Sequence, residues 1–203
     1  MSALRSLARC TQRAVAVALG ACIGLVTHQA KAEPQTTAAI TIGAAGRALN
    51  RQFWDETVFH LGVRSDVLFG RSKVSSFGFG PYAEVATHAF DELQFGGGGA
   101  ALLPVIDGLP IVLSAGAYGR YAPAIGLEPG VAGSFFWGFR SYNHHDPYNM
   151  AGGLLAQFRY GLGASGETSI VISAQLDIVA LSLPAQLLIN ALRGGSPSTR
   201  PVK

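Results

Sequence analysis

The sequence has few charged residues, and lysine is almost missing after the first 32 positions. Charged residues make up 13% of the chain, and only Lys73 and Lys203 follow residue 32. A surface that faces water usually carries about 25–35% charged residues. Cysteine is missing from the same part, because Cys10 and Cys22 both precede it. Residues 33–203 therefore have no thiol for disulfides or thiolate chemistry, and they are too apolar for an ordinary soluble surface.

Long apolar runs are also missing after residue 32. A membrane-spanning helix needs about 20 consecutive, mainly apolar residues, and no segment of 33–203 has that pattern. In lipid, only helices and closed barrels satisfy the hydrogen bonds of their own backbone. A chain that is too apolar for water and has no spanning helix therefore predicts a membrane β-barrel.

The first 32 residues have the pattern of a secretory signal peptide. Arginines precede an apolar run over residues 14–26, and an Ala-Lys-Ala motif follows, so we expect export and cleavage after Ala32. Removing this segment takes away four of the 15 basic residues and none of the 12 acidic ones. The basic excess belongs to the signal, so nucleic-acid binding is not predicted. Leu-Gly-Ala-Cys at 19–22 also resembles a lipobox, which leaves lipidation of Cys22 as an alternative.

Eight segments after the signal alternate apolar and polar residues, as strands with two different faces do. In Thr57–Gly70, one phase holds Phe59 and Val63, whereas the other holds Arg64 and Asp66. The predicted strands cover residues 36–46, 57–70, 75–88, 93–103, 109–121, 127–142, 148–162 and 168–180. A tilted membrane strand needs about 9–11 residues. The pattern predicts an all-β, antiparallel up-and-down transmembrane β-barrel of about eight strands over residues 33–180.

The alternation assigns charges and aromatic rings to opposite faces of the predicted barrel. The predicted interior charge network consists of His60, Arg64, Asp66, Glu84, Arg120, Glu128, Arg140, Arg159 and Asp177. The predicted lipid-facing aromatics are Phe59, Phe69, Phe77, Phe79, Phe95, Phe135, Trp137, Phe139 and Phe158. Because buried charge is costly without a partner, we expect pairs such as Arg64 with Glu84 or Asp66. A lipocalin-like soluble barrel with the aromatic rings inside is the alternative.

The last 23 residues, 181–203, predict a short helix and a disordered tail. Ser182 is the expected N-cap and Pro184 lies in the first predicted turn. Gly194 and Gly195 would end the helix, and residues 196–203 would be disordered.

The sequence predicts no catalytic residue, no metal site and no cofactor. His144-His145-Asp146 is the obvious histidine–carboxylate cluster, and a polar turn explains it, because adjacent side chains diverge on an extended chain. Gly96-Gly97-Gly98-Gly99 has no following Lys-Ser/Thr and no helix, so it is not a phosphate loop. Close strand packing or a sharp bend is expected there.

On the export signal, the strand count and the alternation, residues 36–180 resemble the small eight-stranded outer-membrane proteins of Gram-negative bacteria. The resemblance implies an outer-membrane barrel of structural or interaction type, with lipid and the barrel-insertion machinery as partners. A narrow channel and a lipid A-modifying hydrolase are the alternatives. Such hydrolases place a histidine towards the membrane, whereas His60 and His88 fall on the inward phase. The class usually ends on a strand with a terminal aromatic residue, which this chain does not have. The oligomeric state is not predicted.

Overall fold

The computed structural model describes residues 33–143 and 146–192, in which eight antiparallel strands form a closed barrel. Each strand pairs with the next, and β1 pairs with β8 to close the ring. The strands are β1 (Gln35–Ala48), β2 (Glu56–Leu68), β3 (Gly78–His88), β4 (Glu92–Ile106), β5 (Leu109–Ala122), β6 (Gly126–Arg140), β7 (Ala151–Gly161) and β8 (Thr168–Asp177); one helix, α1 (Ile178–Leu192), follows. The predicted all-β up-and-down barrel with a short C-terminal helix is confirmed.

Several predicted features lie outside the described residues. They are the signal peptide over 1–32, the lipidation alternative at Cys22, the two histidines at 144 and 145, and the tail over 196–203. Among the residues that are described, no helix has the length and apolar character needed to cross a membrane.

The two ends of the barrel differ in the connections they carry. At the hairpin end lie the β1–β2, β3–β4, β5–β6 and β7–β8 connections. At the terminal end lie the start of β1, helix α1 and the other three connections. The β3–β4 turn places Ala89 and Phe90 at φ 51° and 63°, and the Asp91 amide donates to the His88 carbonyl oxygen at 3.2 Å. Positive φ at both central residues is typical of the tight hairpin turn called type I′.

Glycine on the barrel wall leaves room for neighbouring backbone and rings. A Cβ atom on Gly98 would collide with the Ala115 carbonyl oxygen, and one on Gly116 would collide with Gly97. The predicted close strand packing is therefore present at Gly96, Gly97 and Gly98, whereas a Cβ atom on Gly99 would contact nothing. Inside the barrel, a Cβ atom on Gly130 would collide with the Tyr118 ring, so the missing side chain there makes space for a large one.

An apolar cluster lies inside the barrel, towards the terminal end. It is built from inward positions of neighbouring strands: Leu68, Tyr82, Ala100, Leu102, Val112, Phe136 and Leu155. Leu68 and Leu102 are fully buried. The interior is therefore not uniformly polar, because large side chains fill part of this half.

The last strand ends earlier than its alternation predicts, and the helix begins earlier. Strand β8 ends at Asp177, where it pairs with Ala39 of β1. The Asp177 Oδ1 atom accepts hydrogen bonds from the Val179 and Ala180 amides at 2.8 and 3.1 Å. The prediction of Ser182 as N-cap was wrong, because the Asp177 carboxylate already satisfies the first free amides. The helix continues through Pro184.

Candidate functional site

The interior charge network is the candidate site. All nine residues that the sequence assigned to it are buried: His60, Arg64, Asp66, Glu84, Arg120, Glu128, Arg140, Arg159 and Asp177. The structure distributes them over three layers between the terminal end and the hairpin end. It also adds buried groups that the sequence did not assign to the interior.

The middle layer joins opposite walls through Glu84 on β3. Arg64 Nη1 donates to Glu84 Oε2 at 2.9 Å, which is the predicted pairing between neighbouring strands. Arg159 on β7 donates to Glu84 Oε1 at 3.1 Å from across the barrel. Gln157 Nε2 adds a hydrogen bond to Glu84 Oε2 at 2.7 Å. Two guanidinium groups and one amide thus share one carboxylate, which satisfies a charge that would be costly alone.

Hydroxyl groups and rings complete the middle layer. Arg64 Nη2 donates to Ser114 Oγ at 2.5 Å, and Ser114 Oγ lies 2.5 Å from Ser134 Oγ. The Arg64 guanidinium lies 4.1 Å from the centre of the Tyr82 ring. Cation–π contact of this kind stabilises a desolvated cation. In this layer a hydroxyl group and an aromatic ring stabilise the Arg64 guanidinium in addition to Glu84.

The terminal layer also spans the barrel. Arg140 on β6 donates through both terminal nitrogens to Asp66 on β2, with Nη1 3.2 Å from Oδ2. Nη2 also donates to Thr37 Oγ1 at 3.2 Å. Bidentate arginine–carboxylate contacts fix the relative orientation of the two side chains as well as pairing their charges. In this pair one guanidinium group meets one carboxylate.

Asp177, the last member of the predicted network, joins the terminal end to helix α1. Its Oδ2 atom accepts hydrogen bonds from the Tyr148 hydroxyl at 2.9 Å and from the Ala151 amide at 3.2 Å. Burial and the neighbouring Asp177 carboxylate raise the pKa of Tyr148, which lies outside the strands. The tyrosine therefore stays a neutral donor to this carboxylate.

The hairpin layer is crowded with carboxylates. Arg120 Nε lies 2.6 Å from Glu92 Oε2 and 2.7 Å from Glu167 Oε2. Glu128 lies 3.6 Å from Arg120 and also accepts hydrogen bonds from the Ser165 amide and hydroxyl. Arg47 contacts Glu92 at 3.1 Å. Carboxylates outnumber guanidinium groups here, in contrast to the terminal layer.

Two histidines lie beside this layer. His88 Nδ1 is 3.0 Å from Glu92 Oε1, and the His60 ring packs edge-on against His88 with ring centres 5.2 Å apart. His60 Nε2 is 3.1 Å from Thr41 Oγ1. Within the described residues, His60 Nδ1 and His88 Nε2 have no hydrogen-bond partner. Both rings are inside the barrel and away from its outer surface.

Glu167 is the least satisfied acid of the hairpin layer. It precedes β8, in the β7–β8 connection, and is 1% exposed. Burial, followed by the neighbouring Glu92 carboxylate, raises the pKa of Glu167 to about 7. Neither of its carboxylate oxygens makes a hydrogen bond of normal geometry within the described residues. The contact with Arg120 therefore leaves part of its hydrogen-bonding capacity unused.

The sequence did not assign Glu92, Glu167 or Arg71 to the interior, because each follows or lies in a predicted turn. The structure buries all three. Arg71 folds under the terminal end with its guanidinium 5.4 Å from the centre of the Tyr142 ring. Burial, followed by the neighbouring Arg140 charge, lowers the pKa of Arg71 to about 10. The spacing of His88 and Glu92 around a tight turn was a usable signal, because that turn places them opposite each other.

The predicted lipid-facing aromatics all lie on the outer surface or at its edge. Phe59, Phe77, Phe95, Phe135, Trp137, Phe139 and Phe158 are exposed, whereas Phe69 and Phe79 are half-buried. Phe59 stacks with Phe90 at 5.6 Å between ring centres. The two sets that the alternation separated are therefore on opposite sides of the barrel wall.

No family model, no curated protein and no solved structure matches this chain. The interpretation of its function therefore depends on the geometry alone.

Proposed function

We propose that the chain is an outer-membrane β-barrel protein of structural or interaction type, whose polar interior is closed to solutes. In this proposal, residues 1–32 direct export and are removed after Ala32, and the barrel-insertion machinery places the barrel in the outer membrane. Lipid then surrounds the barrel wall. The distribution of charge across that wall carries the proposal.

Charge is almost completely restricted to the inside of the wall. The eight strands contain eleven charged residues, and nine of them are buried. The two others, Arg47 and Glu56, pair with each other at the hairpin end. An arginine on the lipid face costs about 2–4 kcal/mol at the middle of a bilayer. The wall avoids that cost over its whole middle section.

The outer surface is apolar all round the barrel. Exposed fractions reach 49% for Val63, 48% for Trp137, 58% for Leu154 and 59% for Ile172, on four different strands. Large exposed apolar patches are rare on soluble monomers. The lipocalin-like alternative requires the aromatic rings inside and the charges outside, whereas the structure has the opposite arrangement. The geometry therefore favours lipid around the wall.

Ion pairs across the lumen favour a closed interior over the channel alternative. The Arg159–Glu84 pair joins β7 to β3, and the Arg140–Asp66 pair joins β6 to β2. In an eight-stranded ring these strands are diametrically opposite. Eight-stranded barrels have interiors just wide enough for side chains. The two cross-lumen pairs, with the apolar cluster near Leu102 and Phe136, fill the path that a solute would need.

Helix α1 suits the same surroundings. It has no charged residue, and Leu183, Leu187 and Leu192 are among its exposed side chains. Ser182 Oγ donates to the Val179 carbonyl oxygen at 2.8 Å, and Gln186 Nε2 donates to Ser182 Oγ at 2.9 Å. A helix whose polar groups satisfy each other tolerates lipid. At 15 residues it is too short to span a bilayer, so we place it in the membrane surface.

Heat-modifiable migration in the membrane fraction tests the location. The full chain is expressed with its own N-terminus in a Gram-negative host. We expect it in the outer-membrane fraction, resistant to alkaline extraction, with different gel mobility before and after boiling. A soluble band with unchanged mobility would overturn the proposal.

A charge on the outer surface tests which side of the wall meets lipid. Trp137 lies three residues from the end of β6, away from the midplane. Trp137→Arg should therefore lower stability in a phospholipid bilayer by about 1–2 kcal/mol, whereas the control Trp137→Leu should cost less. Urea unfolding into and out of vesicles measures both variants. Equal effects of the two variants would argue against lipid contact at this position.

Conductance in planar bilayers separates a closed barrel from a channel. We expect no steps of conductance from the wild-type chain. Arg159→Ala combined with Arg140→Ala removes both cross-lumen pairs and is the variant in which leakage should first appear. Steady conductance by the wild-type chain would establish the channel alternative instead.

A further inference from the structure

Three chain segments bring possible metal ligands together at the hairpin end. His88 ends β3, Glu92 begins β4, and Glu167 immediately precedes β8. One donor atom from each residue lies within 4.8 Å of the donor atoms of the other two. The side chains are 0%, 1% and 1% exposed respectively, so bulk water does not supply their hydrogen-bond partners.

The second observation is that Glu167 lacks hydrogen bonds in a buried position. Its Oε2 atom has the ion-pair contact with Arg120 at 2.7 Å, but neither oxygen makes a hydrogen bond of normal geometry within the described residues, and His88 Nε2 makes none either. Buried polar groups in folded proteins almost always have a partner, and an exception calls for an explanation such as a bound ion. A cation beside His88 and Glu92 would supply that partner.

The local charge points to a cation as well. Among the described residues, the ion pairs of this end connect five carboxylates to two guanidinium groups, Arg47 and Arg120. The carboxylates belong to Glu56, Asp91, Glu92, Glu128 and Glu167. When all five are ionised, they exceed the two guanidinium groups by three negative charges. A divalent cation would remove most of this excess.

Arg120 lies on one side of the cluster. Its Nε atom contacts the Oε2 atoms of Glu92 and Glu167. On another side the Gln94 amide donates to Glu92 Oε1 at 2.7 Å and lies 3.2 Å from His88 Nδ1, so a bound ion would displace this amide. Glu92 Oε1 faces His88 Nδ1 at 3.0 Å as well as the Gln94 amide. Arg120 thus orients both carboxylates from behind, as groups beyond the metal ligands commonly do.

We propose that His88, Glu92 and Glu167 bind one divalent transition-metal ion of the zinc type. One imidazole nitrogen and two carboxylate oxygens are a ligand set that zinc accepts, with a water molecule in the fourth position. Calcium and magnesium prefer oxygen ligands alone. Bonds of about 2.0–2.2 Å need the donor atoms slightly closer together than 4.8 Å, so binding draws the three side chains inwards.

Such an ion would connect opposite walls of the barrel. Glu92 lies on β4 and Glu167 immediately before β8, and these two strands are diametrically opposite in the ring. The metal would join opposite strands across the lumen at the hairpin end, as the Arg140–Asp66 pair does at the terminal end. The site does not depend on the location of the barrel in a membrane.

Metal uptake by the purified, detergent-solubilised full chain tests the site. After treatment with a chelator, Zn²⁺ is added and binding is followed by calorimetry, with bound metal counted by mass spectrometry. We expect one Zn²⁺ per chain and no uptake of Ca²⁺ under the same conditions. Loss of one ligand should weaken binding more than the roughly 10–100-fold typical of groups beyond the ligands, so His88→Gln and Glu167→Gln should each weaken it about 100-fold or more.

The control is Glu128→Gln, which removes an acid of the same layer that is not a ligand. It should change Zn²⁺ affinity only a few-fold. If it weakens binding as much as Glu167→Gln does, the acidic end attracts cations without a defined site and the proposal is wrong. Absence of Zn²⁺ uptake by the wild-type chain would also overturn it.

A measurement on the wild-type chain keeps the test decisive if the variants do not fold. The imidazole ¹⁵N resonances of His88 should shift on addition of one equivalent of Zn²⁺ and return with chelator. Uptake of metal with His88 resonances unchanged would reject the site.

Discussion

The two ends of the lumen differ in how their buried charges are paired. At the terminal end, Arg140 meets Asp66 one to one and Thr37 accepts a further hydrogen bond. At the hairpin end, Arg120 is shared among Glu92, Glu128 and Glu167. One-to-one pairing in the first case favours rigidity. The acidic excess in the second leaves a group such as Glu167 ready to accept a proton or a cation.

The largest expected effect comes from removing the shared guanidinium group. Arg120→Met leaves three carboxylates facing one another, so it should destabilise the barrel by about 4–5 kcal/mol, the upper range for breaking a buried pair. Arg140→Met leaves only Asp66 unpaired and should cost about 3 kcal/mol. Urea unfolding in micelles measures both. Equal losses would show that the hairpin end is no more dependent on its arginine than the terminal end.

Removing an acid from the terminal end should also destabilise. Asp66→Asn takes away the carboxylate that both terminal nitrogens of Arg140 contact, and we expect a loss of about 2–3 kcal/mol. The double variant Asp66→Asn with Arg140→Met should recover part of the sum, because the two residues interact directly. Strict additivity would mean that the pair contributes little.

Removing an acid from the hairpin end should have the opposite effect and stabilise the folded barrel. Because the pKa of Glu167 is raised to about 7 from an ordinary value of 4.5, the ionised form destabilises the folded barrel. Glu167→Gln should therefore stabilise it by up to about 3 kcal/mol at pH 8 with chelator present. The advantage should shrink as pH falls through 7 and vanish below about 4.5, where Glu167 is protonated in both states. A pH-independent difference would contradict this interpretation.

The smallest expected effect concerns the turn at the same end. Ala89 and Phe90 adopt positive φ without being glycine or asparagine, and Asn-Gly is the favoured pair for this turn. Ala89→Asn with Phe90→Gly should stabilise the barrel by less than about 1 kcal/mol, since the Phe59–Phe90 stacking is lost. Asn50→Gly is the control. Asn50 also has positive φ, but asparagine tolerates that conformation, so this change should have little effect on stability.

The sequence predicted the barrel, its strand number and the side of the wall on which each of the nine assigned network residues lies. Alternation with period 2 is enough for that, as Arg64 and Phe59 show. It could not predict that Arg159 meets Glu84 or that Arg140 meets Asp66 across the lumen. Those contacts depend on how the strands are staggered around the closed ring, which no local pattern contains.

Turn residues were the other source of error. Glu92, Glu167 and Arg71 sit beside predicted turns, where charge usually faces water. In a narrow barrel the end residues of a strand can fold over the lumen, so a polar turn does not imply an exposed side chain. The N-cap was displaced for a similar reason, because Ile178 to Ala180 fits the alternation of a strand as well as the first turn of a helix.

The tight β3–β4 turn also has a consequence for the order of assembly. His88 and Glu92 become neighbours as soon as one hairpin forms, an event of about 1–10 μs. Glu167 reaches them only when the last strand arrives and the ring closes, which is slow because the contacts are distant in the chain. Repulsion between Glu92 and Glu167 is therefore absent from the early steps and develops during the final one. Relief of that repulsion should change how long the closed ring survives more than how fast its hairpins form.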